Sequence, residues 1–155
     1  MSPAEQLAQT LLQLNLKLVT AESCTGGAIA ACCTDLAGAS AWFERGFVTY
    51  SNASKTELLG VDGQLIAQHG AVSEQVVHAM VQGALAHSHA QVAIATTGIA
   101  GPDGGLTNKP VGLVWFGFAA KGRVVCEQMH FEGTRAQVRS AAALHAVRKA
   151  TLLLR

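Results

Sequence analysis

Three segments of the 155-residue chain combine residues that can serve as a nucleophile, a base or an anion-binding loop. The first, ESCTGG at 22–27, lies between a predicted strand and a predicted helix. Its glycines let the backbone approach a ligand closely, and free N–H groups at a helix start can hold an oxyanion. Ser23 can therefore attack a carbonyl carbon while these N–H groups stabilise the developing charge. Alternatively, the hydroxyl of Ser23 or Thr25 serves only as the helix N-cap.

The second segment, TYSNASK at 49–55, ends in a lysine. Lys55 can act as the base for a serine if burial lowers its pKa, although most lysines lie on solvated surfaces. Tyr50 is the only tyrosine in the chain. It either orients a substrate and passes on a proton, or it ends a strand with its ring half buried.

The third segment, TTGIAGPDGG at 96–105, has four glycines within eight residues directly after a predicted strand. A backbone-rich loop of this kind can bind phosphate or complete an oxyanion hole. The loop lacks the GK[ST] ending of a P-loop, and its spacing is not that of the dinucleotide-binding GxGxxG motif. An ordinary loop is the alternative, but loops of about a dozen residues without secondary structure tend to be functional.

Cys24, next to Ser23, is an alternative nucleophile, because the N-terminus of a helix can stabilise a thiolate. Neighbouring residues on a tight turn point in different directions, so only one of the two side chains can face a pocket.

Two further groups of polar residues fall outside these segments. His87 and His89 have no carboxylate or cysteine at metal-binding spacing nearby, so we expect no metal site. Arg135 and Arg139 are four residues apart on the last predicted helix and therefore share one face. Either arginine can reach an anionic substrate, and otherwise both are solvated.

Hydrophobic periodicity and turn residues predict the elements that position these segments. The predicted order is helix 5–16, strand 16–21, helix 28–36, strand 43–50, a helix from Ser51 or Asn52 to Leu59, a helix from Ser73 to Ala86, strands 91–97, 111–119 and 124–131, and helix 134–154. Strands that alternate with helices predict an α/β fold with helices on both faces of the sheet. A late hairpin at Lys121-Gly122 makes the sheet mixed. Ligand sites in such folds lie at the carboxyl ends of strands, where the first and third segments fall.

Composition narrows the class of protein. Half of the residues are hydrophobic, 14% are charged, and the formal net charge is +1. These values argue against a disordered chain and predict a single domain over residues 1–155 with a large core, and a homodimer or higher homo-oligomer. The small net charge and the absence of basic, aromatic-rich runs predict no nucleic-acid partner and no membrane partner.

Targeting signals and cysteine spacing indicate the compartment. The chain has no run of 18 apolar residues and no signal-peptide pattern, so we expect no membrane span. The four cysteines, Cys24, Cys32, Cys33 and Cys126, match neither a zinc-binding nor a CxxC redox pattern. Reduced thiols in a cytoplasmic protein are the expectation that fits this spacing.

Five motifs together resemble one family, the CinA C-terminal domain, over essentially the whole chain. They occur in the family's order: AESCTGG at 21–27, WFERGFVTYSNASK at 42–55, GAVSE at 70–74, TTGIAGPDGG at 96–105 and KPVGLVWF at 109–116. The resemblance implies a three-layer α/β/α sandwich with a mixed, mostly parallel sheet. Stand-alone members of this family are nicotinamide-nucleotide amidohydrolases, so it also implies hydrolysis of nicotinamide mononucleotide to nicotinic acid mononucleotide and ammonia, without metal or cofactor. A role in pyridine nucleotide recycling follows from the same resemblance.

Three alternatives to this activity remain open. An amidase that uses Cys24 would tolerate the loss of Ser23. A nucleotide-binding module without hydrolytic activity would keep the glycine loops and would not need Lys55. A purely structural partner would bind no mononucleotide at all.

The resemblance also implies roles for individual residues. It places the nucleophile at Ser23 and its lysine base at Lys55, with Tyr50 beside them as a third catalytic residue. The residues that it implies for substrate binding are Thr25, Gly26, Gly27, Thr97, Gly98, Ala100, Gly101, Gly104, Gly105 and Arg139. The last helix matches the family by a weaker pattern, which leaves open whether Arg135 also binds the substrate.

Overall fold

Six α-helices, one 3₁₀ turn and five strands follow one another in the computed structural model, which describes residues 1–155. In chain order they are α1 (Pro3–Leu14), β1 (Leu18–Glu22), α2 (Ala28–Thr34), the 3₁₀ turn (Ala39–Ala41), β2 (Phe43–Val48), α3 (Asn52–Leu59), α4 (Gly63–His69), α5 (Glu74–Ala86), β3 (Val92–Gly98), β4 (Leu113–Ala120), β5 (Arg123–His130) and α6 (Arg135–Leu154). None of these helices combines the length and the apolar character that a membrane span requires.

The five strands form one sheet in the order β2-β1-β3-β4-β5. Strand β1 pairs in parallel with β2 and β3, whereas β4 pairs antiparallel with β3 and β5. Strands β1, β2, β3 and β5 therefore share one direction and β4 opposes them, which confirms the expected mixed, mostly parallel sheet. All five residues of β1 are buried, as expected for a central strand that is covered on both faces.

Helices cover both faces of this sheet. Helices α1, α2 and α6 pack on one face around a core that includes Leu18 of β1. Helices α3, α4 and α5 pack on the other face around a core that includes Val19, the next residue of the same strand. Successive side chains of a strand point to opposite faces, so one strand supplies both cores. The three-layer α/β/α sandwich is confirmed.

The predicted starts of α3, α5 and α6 agree with the caps in the structure. Of the two candidates for α3, Ser51 is the N-cap, and its Oγ accepts a hydrogen bond of 3.1 Å from the N–H of Ser54. Ser73 caps α5, and Thr134 caps α6 in a capping box with Gln137. These side chains satisfy backbone N–H groups that have no partner within the helix.

Most predicted boundaries agree with the structure within two residues, and two of the differences have a clear physical reason. Helix α4 was not predicted, because its seven residues bury only Ile66 and so give little apolar periodicity. Strand β1 begins at Leu18, two residues later than predicted. The reason is that Asn15 adopts a left-handed conformation (φ 55°) and ends α1 with a turn. Neither difference moves the segments that were singled out for chemistry.

Candidate active site

A cavity of about 280 Å³ lies where the carboxyl ends of β1, β2 and β3 meet. Because these three strands are parallel neighbours, the segments that follow them reach the same edge of the sheet. The lining residues are Ser23, Cys24, Tyr50, Asn52, Lys55, Ala71, Val72, Thr97, Gly98, Ile99, Ala100, Gly104 and Arg135. All three segments singled out in the sequence contribute to this wall.

Lys55 and Ser23 are in hydrogen-bond contact at the base of the cavity. Lys55 lies one turn into α3, and its Nζ donates to Ser23 Oγ at 3.0 Å. The same Nζ donates to the carbonyl oxygens of Thr49 at 2.9 Å and Tyr50 at 3.3 Å. Both side chains are buried, with Lys55 only 1% exposed. A serine and a lysine from different elements are thus paired away from bulk water.

The burial of Lys55 disfavours its charged form. Burial of the side chain lowers the pKa of Lys55 below the usual value of 10.5. None of the three ion pairs in the protein includes Lys55, so no carboxylate compensates for the lost hydration. A lysine in this environment can lose its proton more readily and accept one from a hydroxyl group.

The loop that carries Ser23 is held from two sides. The N–H of Ser23 donates to the carbonyl oxygen of Thr96 on β3 at 3.0 Å. From α6, Arg139 donates through Nε to the Cys24 carbonyl and through Nη2 to the Thr25 carbonyl, both at 3.0 Å. The carbonyl groups of this loop are therefore occupied, whereas the N–H groups of Cys24 and Thr25 donate to no other residue.

Gly26 and Gly27 turn the chain from this loop into α2. Both have positive φ, 61° and 103°, a conformation that strongly favours glycine. A Cβ on Gly26 would also approach Arg139 Nη2 to 3.0 Å. The two glycines thus allow a sharp turn and close packing of the arginine behind the cavity.

Glu22 is a buried residue of the site to which the sequence assigned no role. Its carboxylate is fully buried at the end of β1. Oε1 accepts hydrogen bonds from Thr25 Oγ1 at 2.6 Å and from the N–H of Ile29 at 2.8 Å, and Oε2 accepts one from the N–H of Ala30 at 3.0 Å. The only sequence signal was a charged residue that closes an otherwise apolar strand.

The glycine-rich segment after β3 contributes to the wall in two ways. Gly98, Ala100 and Gly104 line the cavity directly. Gly101 and Gly105 instead pack against Val111, where a Cβ on either would collide with or crowd the valine. These two glycines therefore shape the loop from behind and do not face the cavity.

Thr97 connects the end of β3 to the segment before α5. Its Oγ1 donates to the carbonyl oxygen of Ala71 at 2.8 Å, while the residue itself is 1% exposed. Ala71 and Val72 belong to the GAVSE motif and line the cavity together with Thr97. The contact holds two walls of the cavity together.

Tyr50 and Arg135 lie at the mouth of the cavity. Tyr50 is 58% exposed, and its Oη accepts a hydrogen bond of 2.6 Å from Arg135 Nη2. Arg135 also donates through Nη1 to the carbonyl oxygen of Gly101 at 2.9 Å. The guanidinium group is a fixed positive charge at the entrance to the cavity.

Of the residues singled out in the sequence, the cavity wall unites Ser23, Lys55, Tyr50, Thr97, Gly98, Ala100 and Gly104. Thr25, Gly26, Gly27, Gly101, Gly105 and Arg139 lie behind this wall instead. Sequence reasoning did not single out four lining residues, which lie within the quoted motifs and carry no reactive group: Asn52, Ala71, Val72 and Ile99. The resemblance implied Arg139 for substrate binding and left Arg135 open, whereas Arg135 is the arginine that lines the cavity.

The alternative nucleophile and the histidines have less favourable surroundings. Burial raises the pKa of the Cys24 thiol to about 11, so the thiol is neutral at physiological pH. No group of three or more histidine, cysteine, aspartate or glutamate side chains is arranged to hold a metal ion.

Comparisons of the sequence and of the structure with known proteins agree on one family. The model of the CinA C-terminal domain matches residues 1–154. The protein named nicotinamide-nucleotide amidohydrolase PncC from Enterobacter agglomerans is 60% identical over 131 residues, which cover 84% of this chain and 80% of that protein. The protein of the same name from Escherichia coli is 51% identical over 148 residues, covering 95% of this chain and 90% of the relative.

Solved structures agree with the sequence matches. The CinA superfamily protein from Klebsiella pneumoniae superposes with a TM-score of 0.94 at 36% identity and covers 99% of this chain and 98% of that one. The competence/damage inducible protein CihA from Agrobacterium tumefaciens gives a TM-score of 0.91 at 42% identity, with 99% and 96% coverage. The chain therefore belongs to the CinA C-terminal domain family.

Proposed function

We propose that this protein is a nicotinamide-nucleotide amidohydrolase that converts nicotinamide mononucleotide and water into nicotinic acid mononucleotide and ammonia. One observation supports the chemistry above all others: Lys55 Nζ lies 3.0 Å from Ser23 Oγ in a cavity, and burial lowers the pKa of the lysine. The names of the relatives from Enterobacter agglomerans and Escherichia coli support the substrate. The product fits a role in pyridine nucleotide recycling.

The first half-reaction forms an ester on Ser23. Neutral Lys55 removes the proton from the Ser23 hydroxyl as Oγ attacks the carboxamide carbon. The carbon–nitrogen bond then breaks, and the proton held by Lys55 moves to the leaving nitrogen, which departs as ammonia. The cationic pyridinium ring of the substrate withdraws electrons from the carboxamide and makes its carbon more susceptible to attack.

The second half-reaction returns the enzyme to its starting state. A water molecule enters where ammonia has left, and Lys55 takes a proton from it as its oxygen attacks the ester carbon. The bond to Ser23 Oγ breaks, the serine recovers a proton from Lys55, and nicotinic acid mononucleotide is released. Water is consumed and no oxidant or reductant is needed.

Backbone N–H groups of the wall are suited to the oxyanion of both half-reactions. Cys24 and Ala100 line the cavity, and the backbone N–H of neither residue donates to another residue. Donors that are fixed by the fold stabilise a developing negative charge without having to reorganise, and one such donor contributes about 10²- to 10³-fold to kcat. The oxyanion would thus be held between the nucleophile loop, which is the loop at 23–27 that carries Ser23, and the glycine-rich segment at 98–105.

Arg135 is the group that we assign to the substrate phosphate. It lies at the cavity mouth, and a guanidinium group can bind phosphate oxygens through two parallel hydrogen bonds. The neighbouring Tyr50 hydroxyl, which accepts from Arg135, would hold the guanidinium in place. Arg139 is a less suitable candidate because it does not line the cavity and its Nε and Nη2 donate to the carbonyl groups of Cys24 and Thr25 behind the wall.

The wider properties of the protein belong to the same proposal. Residues 1–155 would act as one domain, since the cavity draws its wall from the first loop after β1 and from the start of α6. The four unpaired cysteines fit a reducing cytoplasm. Exposed leucines near the end of α6, including Leu152 at 65% exposure, fit a homodimer or a higher homo-oligomer.

The experiment that tests this proposal measures ammonia and nicotinic acid mononucleotide from nicotinamide mononucleotide, with a chelator present. The variants are Ser23→Ala, Lys55→Met and Cys24→Ala. We expect stoichiometric products from the wild-type protein and from Cys24→Ala, and loss in the other two. Activity that survives in Ser23→Ala and disappears in Cys24→Ala would establish the thiol as nucleophile. A folded wild-type protein that binds the nucleotide without releasing ammonia would be a binding module.

A further inference from the structure

We infer that Glu22 is a positioning residue of the reaction, whose carboxylate fixes the nucleophile loop so that Ser23 stays in contact with Lys55. The inference rests on the proposed function and deepens it. Glu22 does not line the cavity and touches no reacting atom. Its influence passes through Thr25 and through the first residues of α2.

The contacts of Glu22 are all to the segment that follows it. One carboxylate oxygen accepts from Thr25 Oγ1 and from the N–H of Ile29, and the other accepts from the N–H of Ala30. Helix α2 begins after Gly27, which has no side chain to cap it. The carboxylate therefore serves the second and third N–H groups of α2 as an N-cap side chain would.

The bond between Glu22 and Thr25 closes a short loop around Ser23. Only Ser23 and Cys24 lie between the two bonded residues, and both line the cavity. Thr25 Oγ1 also lies 2.9 Å from Thr96 Oγ1 on β3. A loop this short, closed at 2.6 Å and attached to the neighbouring strand, has little freedom to change where Ser23 Oγ points.

Burial makes this closure strong. Glu22 is fully buried and forms no ion pair, so its three hydrogen bonds replace the contacts with water that the group loses on folding. Any motion of the loop away from Glu22 would leave a buried polar group unsatisfied, which is costly. The carboxylate and the loop thereby hold each other in one arrangement.

Two variants weaken the closure in different ways. Glu22→Gln keeps the shape of the side chain and can still accept from Thr25 and Ile29, but its NH₂ group would face the N–H of Ala30. Thr25→Val removes the hydroxyl group and leaves the carboxylate on the helix. Ala31→Gly serves as the matched control, because Ala31 is an exposed position in α2 where glycine costs roughly 0.5–1 kcal/mol of stability without touching Glu22.

The experiment measures kcat and KM for ammonia release, the thermal midpoint, and the rate at which a fluorophosphonate modifies Ser23. The last measurement requires a reactive serine but no amidase activity. We expect kcat to fall by about 10- to 100-fold in Glu22→Gln and in Thr25→Val, as for other misplaced catalytic groups, with KM nearly unchanged. The rate of Ser23 modification should fall with kcat, and Ala31→Gly should change the midpoint alone.

The outcomes separate the inference from the proposed function. Unchanged kcat in Thr25→Val and Glu22→Gln, or an equal loss in Ala31→Gly at matched stability, would make Glu22 a helix cap without a role in positioning. If the wild-type protein releases no ammonia, but the fluorophosphonate modifies Ser23 more slowly in Glu22→Gln than in wild type, the proposed substrate is wrong and the inference stands. A wild-type Ser23 that is never modified would overturn both.

Discussion

Lys55 Nζ lies 3.0 Å from Ser23 Oγ, and no carboxylate forms an ion pair with this lysine. Ser23 follows β1, and Lys55 lies on α3, which follows the neighbouring strand β2. The backbone links the two strand ends directly, since the N–H of Thr49 donates to the carbonyl oxygen of Glu22 at 2.8 Å. The parallel pairing of β1 and β2 is therefore what brings Ser23 and Lys55, the proposed nucleophile and base, together.

Replacement of Lys55 should abolish turnover without unfolding the protein. Lys55→Met keeps the length of the buried chain and removes the base, for which general-base catalysis predicts a loss of about 10²- to 10⁴-fold in kcat. Lys55→Arg should be equally inactive, because a guanidinium group does not lose its proton in proteins. Steady-state ammonia release and a circular-dichroism melt measure the two effects. Activity in Lys55→Arg within a few fold of wild type would exclude Lys55 as the base.

The rate should rise with pH as Lys55 loses its proton. Burial lowers the pKa of Lys55, so the basic form becomes available below the usual value of 10.5. We expect kcat/KM to increase with pH through an inflection below 10.5, since kcat/KM reports the free enzyme. A pH profile of ammonia release measures this inflection. A profile that is flat across neutral and alkaline pH would contradict the assignment of the base.

The same shift should appear in stability. The pKa of Lys55 is lower in the folded than in the unfolded protein, so the unfolded state binds more protons between the two values. Stability relative to Lys55→Met should therefore increase as the pH rises from the folded pKa towards the unfolded pKa, and should be lowest below the folded pKa. Urea unfolding of both proteins across this range measures the difference. If the free energy of unfolding of the wild type instead fell relative to that of Lys55→Met as the pH rises, the pKa of Lys55 would not be lowered in the folded protein.

Arg135 should control affinity for the nucleotide and have little effect on the chemical step. Loss of a charge-assisted contact to phosphate costs about 1.5–3 kcal/mol, so Arg135→Ala should raise KM by about 10- to 100-fold and change kcat little. Arg148→Ala is the matched control, since Arg148 is exposed on the same helix and forms no ion pair. Nicotinamide riboside, which lacks the phosphate, should be hydrolysed similarly by wild type and Arg135→Ala. A KM effect of equal size on both substrates would argue against phosphate binding.

Gly83 should be required for the packing of α5 on the end of α3. A Cβ at this position would collide with the carbonyl oxygen of Leu59, a backbone atom that cannot move aside cheaply. Gly83→Ala should therefore lose about 1–3 kcal/mol in the free energy of unfolding, although alanine is the better helix former. Gly63→Ala is the control, because a Cβ there meets nothing within 4 Å. Equal stability of the two variants would show that α5 can shift away from α3.

The sequence was sufficient to predict the three layers, the mixed and mostly parallel strand directions, and several residues that line the cavity. Buried strands and caps such as Ser51 and Ser73 leave strong local patterns, because each depends on neighbouring residues. Helix α4 escaped prediction for the opposite reason, since it buries a single residue. The pairing of Ser23 with Lys55 depended on motifs, because no local rule relates residues 32 positions apart.

Two features of the site could not be predicted from residue spacing. Glu22 binds backbone N–H groups of Ile29 and Ala30, and a backbone donor carries no sequence signal. Arg135 and Arg139 share a helix face, so their spacing could not show which one reaches the cavity. The structure separates them, since Arg139 is engaged by the carbonyl groups of the nucleophile loop and Arg135 lines the cavity mouth.

Trapping of the acyl intermediate by hydroxylamine tests the central claim most directly. An ester on Ser23 would be attacked by hydroxylamine as well as by water, so wild-type protein and nicotinamide mononucleotide should yield the hydroxamate of nicotinic acid mononucleotide alongside the acid. The ratio of hydroxamate to acid should rise in proportion to the hydroxylamine concentration, and Ser23→Ala should form neither product. Acid formed at the full rate with no hydroxamate at any hydroxylamine concentration would mean that water attacks the amide directly and that Ser23 is not the nucleophile.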